Sequence, residues 1–114
     1  MKMIGLVAIV ASLINVSIPF QSRAETVLSA RDLFDACTRA DMDWISFCNG
    51  FIQASNDHAV RLGMACTPAG TTRTHLVEIF EYSAARLLVS QSELGDAAGL
   101  EVASAIIGAA FPCN

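Results

Sequence analysis

From residue 28 onward, apolar positions recur at steps of three and four. No alternation of period two lasts long enough to compete, so the pattern predicts helices. Ser29 is a suitable N-cap for a first helix that reaches about Arg39, with Leu33, Phe34 and Cys37 at helical spacing. Asp41 or Asp43 can cap a second helix carried to about Leu62. Its apolar face is read as Trp44, Phe47, Cys48, Phe51, Ser55, Ala59 and Leu62. Gly63 is a natural stop, and Pro68 and Gly70 break the chain between residues 64 and 70. Thr71 or Thr72 caps a third helix to about Val89, with Leu76, Ile79, Phe80, Ser83 and Leu87 on its inner face. Ser90 to Gly95 is polar and unpatterned. A fourth helix starts near Asp96 and ends before Pro112, on Leu100, Ala103, Ile107 and Ala110, widened by Val102 and Ile106. Short connections favour antiparallel neighbours. The expected fold is all-α, a small up-and-down bundle of about four helices. Gly50 and Ala54, one turn apart, would let another helix approach closely.

The first 24 residues change that picture. Lys2 is followed by an uncharged, mostly apolar run from Met3 to Phe20, and Ser22 and Ala24 put small residues where a signal peptidase reads. A mostly apolar run of eighteen residues is near the lower limit for a membrane span. The polar turn and the small-residue site favour a secretory signal peptide cleaved after Ala24. Residues 25–114 then form one domain of 90 residues, with five basic against eleven acidic side chains, a net charge of −6 and no lysine. An acidic surface disfavours nucleic acid and anionic membranes as partners; it keeps an exported protein soluble and would suit a basic protein partner.

All four cysteines, Cys37, Cys48, Cys66 and Cys113, lie in that domain, and an even count in a short exported chain reads as disulfides. Cys48 and Cys66 are eighteen positions apart. Along a continuous helix that is roughly 27 Å, far beyond the reach of a disulfide. In an up-and-down bundle Cys37 and Cys48 share one end, and Cys66 and Cys113 the other. The chain direction therefore favours Cys37–Cys48 and Cys66–Cys113 among the three pairings that four cysteines allow.

Other chemistry finds little support. No cysteine pair has the two-to-four spacing of a zinc site. His58 and His75 are the only histidines; the first borders the apolar face of helix two as a partly buried, hydrogen-bonded side chain, and the second opens helix three. Asp57 and His58 are neighbours on a helix and point apart. Asp41 and Asp43 read as capping residues, and Trp44 as a core residue. There is no phosphate loop, no metal cluster and no nucleophile with its base, so neither catalysis nor a cofactor is expected.

The stretch "FCNGFIQASND" (Phe47–Asp57), then "ACTP" (Ala65–Pro68), then "AAFPC" (Ala109–Cys113) resembles the Rap/Tai family, small exported helical immunity proteins of bacterial type VI secretion. The matching residues are Phe47, Cys48, Gly50, Phe51, Asp57, Cys66, Pro68, Pro112 and Cys113. The chain has Ala54 where the family often has a second glycine, and lacks a proline common between the last two helices. The resemblance implies a periplasmic inhibitor that blocks a secreted peptidoglycan amidase, often as a homodimer, with no catalysis of its own. The alternative is a periplasmic helical binding or structural protein of other role. For an inhibitor, the expected partner surface is Ser90, Gln91 and Glu93 with neighbouring Glu81 or Tyr82, or else the loop around Pro68.

Overall fold

A computed structural model describes residues 27–114. The signal-peptide segment and its cleavage point lie outside the described residues. The fold is a small helical bundle stapled by two disulfides, with helices α1 (Ala30–Cys37), α2 (Met42–Arg61), α3 (Arg73–Ser90) and α4 (Gly99–Ala110). A short 3-10 turn, Ser92–Asp96, replaces the unpatterned connection expected between the last two helices.

Most helix boundaries follow local chemistry. The Ser29 hydroxyl accepts the Asp32 amide at 3.1 Å, and the Thr72 hydroxyl accepts the His75 amide at 3.1 Å, each satisfying a free donor of the first turn. α2 ends in a left-handed Gly63 at φ 74°. Around it the Met64 amide donates to the Ala59 carbonyl at 2.8 Å and the Gly63 amide to that of Val60 at 3.1 Å, the paired bonds of a Schellman cap. Asp41 occupies the N-cap of α2, but its side chain makes no capping bond. α4 begins at Gly99 rather than near Asp96. Its entry is fixed by backbone pairing: Gly99 donates to Leu28 at 2.7 Å and Ala30 donates to Ala97 at 2.8 Å, across an isolated bridge between Ser29 and Ala98.

The core is centred on Leu33, Ile52, Leu76, Phe80 and Ile107, all fully buried. α2 is its main contributor, packed against α4, α3 and α1. The face it buries overlaps only in part with the one read in the sequence, sharing Cys48, Ser55 and Ala59. Cys48, Ile52, Ser55, Asn56 and Ala59 turn inward, whereas Phe47 is 39% and Leu62 60% exposed and Trp44 only half-buried. The helix is rotated toward its small residues because α4 lies close against it. There the Ser104 hydroxyl donates to the Ser55 carbonyl at 3.2 Å, while Ser55 donates to the Phe51 carbonyl at 2.9 Å. Both buried hydroxyls are thereby satisfied, as burial demands. At Gly108 a side chain would stand 2.7 Å from the Met64 carbonyl oxygen, so α4 needs glycine where it passes the end of α2. Gly50 and Ala54, expected to seat a neighbouring helix, instead face open space. On α3, Leu76, Phe80 and Ala84 are buried, while Ile79, Ser83 and Leu87 sit at the margin. On α4, Ala110 is exposed rather than inward-facing.

The disulfides join Cys37 to Cys48 and Cys66 to Cys113, with Cα–Cα distances of 5.1 and 5.0 Å. These are the pairs that alternating helix direction favours. The second staple is supported by the Cys66 amide, which donates to the Phe111 carbonyl at 2.8 Å. The loop after α2 is also tied sideways, Thr67 donating to the buried Asn56 side chain at 2.6 Å. Two disulfides fit an oxidising, extracytoplasmic compartment. Among the described residues no helix is long and apolar enough to cross a membrane.

Candidate functional site

The residues singled out as a partner surface fall into separate places. Ser90 ends α3, and Gln91, Ser92 and Glu93 follow as an exposed tip at one end of the bundle. The tip is a hydrogen-bonded element: Gln91 donates to Leu87 at 2.7 Å, Leu94 to Gln91 at 2.9 Å, and Ala97 to Leu94 at 3.1 Å. α1 holds it from below. The Arg31 guanidinium donates to the Ser92 carbonyl at 3.2 Å and approaches Asp96 at 3.9 Å. Gly95 is buried beneath that guanidinium, and a Cβ there would overlap it. The ion pair itself is exposed and contributes little. The clamp therefore acts by orienting the tip, with Asp96 beside Arg31 and Glu93 exposed to solvent.

Glu81 and Tyr82 do not form one patch. Successive helical residues point about 100° apart, and α3 turns them to different flanks. Tyr82 is 66% exposed, and its hydroxyl accepts a 2.9 Å bond from Arg86, whose guanidinium carbon lies 5.4 Å from the ring centre. Glu81 is half-buried on the other side. Burial raises its carboxyl above the ordinary value, and the neighbouring Glu78 carboxylate adds to the rise. A raised carboxyl pKa means the folded state binds the proton more tightly than the unfolded chain does. The stability it contributes is complete below the unfolded value and is lost as pH rises through the folded one. Glu81→Gln is expected to flatten the pH dependence of stability above the ordinary glutamate range, without loss at neutral pH. Urea midpoints from acid to neutral pH check this; an unchanged slope would assign the dependence to other groups.

Between α3 and α4 runs an open groove of about 740 Å³, lined in part by Tyr82, Arg86, Leu87, Glu101, Val102 and Ile106. A smaller hollow of about 510 Å³ lies beside Pro68, between α2 and the following loop, with Asn56, Asp57, Arg61 and Thr71 in its wall. The groove was not legible in the sequence. Its one signal there is the run of alanines on α4, read only as a slim helix.

The flank of α2 carries an aromatic ladder. Trp44 and Phe47 meet edge to face at 5.6 Å, and Phe47 and Phe51 follow at 5.8 Å. Arg39 caps it, 4.5 Å above the Trp44 ring. His58 is half-buried, and its imidazole has no hydrogen-bond partner among the described residues, contrary to expectation. His75 is exposed on α3, 3.7 Å from Glu78, with the Phe111 ring nearby. Among the described residues no group of histidine, cysteine and carboxylate side chains is placed to hold a metal ion, and all four cysteines are oxidised. Comparison with protein families, with characterised proteins and with solved structures finds no match.

Proposed function

We propose that this chain is a periplasmic immunity-type protein that binds and inhibits a peptidoglycan amidase effector of type VI secretion, with no catalysis of its own. The motif resemblance supports the family. The observation that carries the mechanism is the Arg31-clamped tip, Gln91 to Asp96. An inhibitor of a cleft needs a rigid exposed element that loses little conformational freedom on docking. The 3-10 hydrogen bonds and the Arg31 clamp restrict the backbone of the tip, and two disulfides hold the bundle behind it. With Asp96 opposed by Arg31, Glu93 gives the tip a net negative charge that would draw it to a basic cleft and speed encounter.

The test starts from the adjacent reading frame: if it encodes an exported cysteine–histidine amidase, that enzyme is assayed on purified peptidoglycan. Equimolar oxidised protein is expected to stop hydrolysis. Glu93→Lys should weaken inhibition about tenfold or more, equivalent to at least ~1.4 kcal/mol. Arg31→Ala should weaken it less, through a looser tip, with the unfolding midpoint nearly unchanged because Arg31 is exposed. Full amidase activity at tenfold excess of the protein would overturn the reading. Inhibition indifferent to both variants would remove the tip from it.

A second reading, an extracytoplasmic binding protein of other role, is favoured by the α3–α4 groove.

A further inference from the structure

The groove between α3 and α4 has chemistry that the tip does not use. On α3, Tyr82, Ser83, Arg86, Leu87 and Ser90 follow one another at helical steps down one flank. α4 answers with Val102, Ile106 and the small residues Ala105, Ala109 and Ala110, and Leu94 and Ala97 also line the groove. Small side chains on one wall leave a trough rather than a seam. Its volume of about 740 Å³ lies within the range of pockets that hold small ligands, roughly 300–1,000 Å³. The lining is mostly apolar, with its polar groups, Tyr82, Ser83, Arg86, Ser90 and Glu101, set along its α3 flank and at one point of α4. Its cation is Arg86, held in place by its bond to the Tyr82 hydroxyl and its position over the Tyr82 ring. Among the described residues no carboxylate lies within ion-pair distance of Arg86. The Tyr82 hydroxyl accepts from Arg86 and keeps its own proton to donate. Glu101, which also lines the groove, would repel an anionic head from its own side.

We propose that this groove binds a free single-chain alkyl carboxylate. The chain lies along Leu87, Leu94, Val102 and Ile106, and the carboxylate is held by the Arg86 guanidinium and the Tyr82 hydroxyl. A planar guanidinium suits a carboxylate through two parallel hydrogen bonds. The apolar part of the lining gains from covering surface that is otherwise wet. This site does not rest on the inhibitor reading, since Arg86, Tyr82 and the α4 alanines lie outside the tip and the two share only Leu94.

Dodecanoate is the probe, titrated below its aggregation concentration into oxidised protein and followed by amide NMR shifts, with dodecylammonium and dodecanol as head-group controls. Dodecanoate is expected to bind saturably, with shifts concentrated on α3 and α4, and at least tenfold more tightly than dodecylammonium. Arg86→Ala should weaken it at least tenfold and Arg86→Lys less, while Ala105→Phe, which narrows the trough, should abolish it. Arg86 and Ala105 are exposed, so these variants retain the fold, which circular dichroism verifies. Absence of saturable binding would overturn the proposal. So would equal affinity for the amine, indifference to Arg86→Ala, or shifts centred on the aromatic ladder of α2.

Discussion

Replacing Cys66 and Cys113 together by serine is expected to remove about 4 kcal/mol of stability, on the chain-entropy account of a cross-link. The bond closes a loop of 47 residues, against 11 for Cys37–Cys48, whose loss by the same account costs about 3 kcal/mol. The Cys66–Cys113 pair gives the cleaner measurement. Both residues are exposed, so serine there leaves no cavity and buries no hydroxyl, whereas Cys37 and Cys48 belong to the core. The loss should appear in urea unfolding as a lower midpoint with a steeper slope, because the opened loop lets the unfolded chain expose more surface. In thermal unfolding it corresponds to a fall of at least ~15 °C for a domain of this size. A loss below about 1 kcal/mol would mean that the unfolded chain already holds these segments together. For the inhibitor reading the consequence is direct. An unclasped C-terminus loosens the end of α4 and the loop after α2, which lie away from the tip, so inhibition at low temperature should survive a change that removes much of the stability.

Phe80→Ala should cost about 3–5 kcal/mol, whereas Phe47→Ala should cost about 1 kcal/mol. The two residues look equivalent in the sequence, each an aromatic on the presumed inner face of a helix. Phe80 is fully buried at the centre of the bundle, where truncation removes its contacts and leaves a cavity that rigid helices cannot close. Phe47 is 39% exposed and touches mainly its own helix, through Trp44 and Phe51. Its truncation removes a pair of edge contacts and some half-wet surface. Denaturant midpoints of the two variants decide the matter. Similar losses would mean that the aromatic flank of α2 is part of the core, and that the rotation described for that helix is wrong.

That rotation marks where the sequence stops being sufficient. α2 has two apolar flanks, one aromatic and one of small and β-branched residues, and periodicity weighs them almost alike. The aromatic flank carries the larger hydrophobicity and is the natural choice by eye. The face read in the sequence mixed the two; the structure keeps its Cys48, Ser55 and Ala59, adds Ile52 and Asn56, and turns Phe47 and Leu62 outward, because Ser55 and Ala59 let α4 approach and Ser104 reach the Ser55 carbonyl. Phe47 and Leu62 are too bulky for that seam. The same limit applies to the surface. Glu81 and Tyr82 are neighbours in the chain, and either was a candidate to border the expected surface, yet they lie on different flanks of α3. Arg31 and Gly95, 64 positions apart, carried no signal of belonging together.

What the sequence determined by itself is local or directional: four helices, the Ser29 cap, a threonine cap at Thr71 or Thr72, the Gly63 stop, and the disulfide pairing, which follows from helix length and alternating direction. Capping bonds and helical rise depend on residues within a few positions of one another, so they can be read along the chain. Tertiary structure alone decided the inward face of α2, the clamp of Arg31 on the 3-10 tip, and the groove that α4 leaves open with its alanines. Each depends on how closely two helices distant in sequence approach, and that distance is set by the side chains of both.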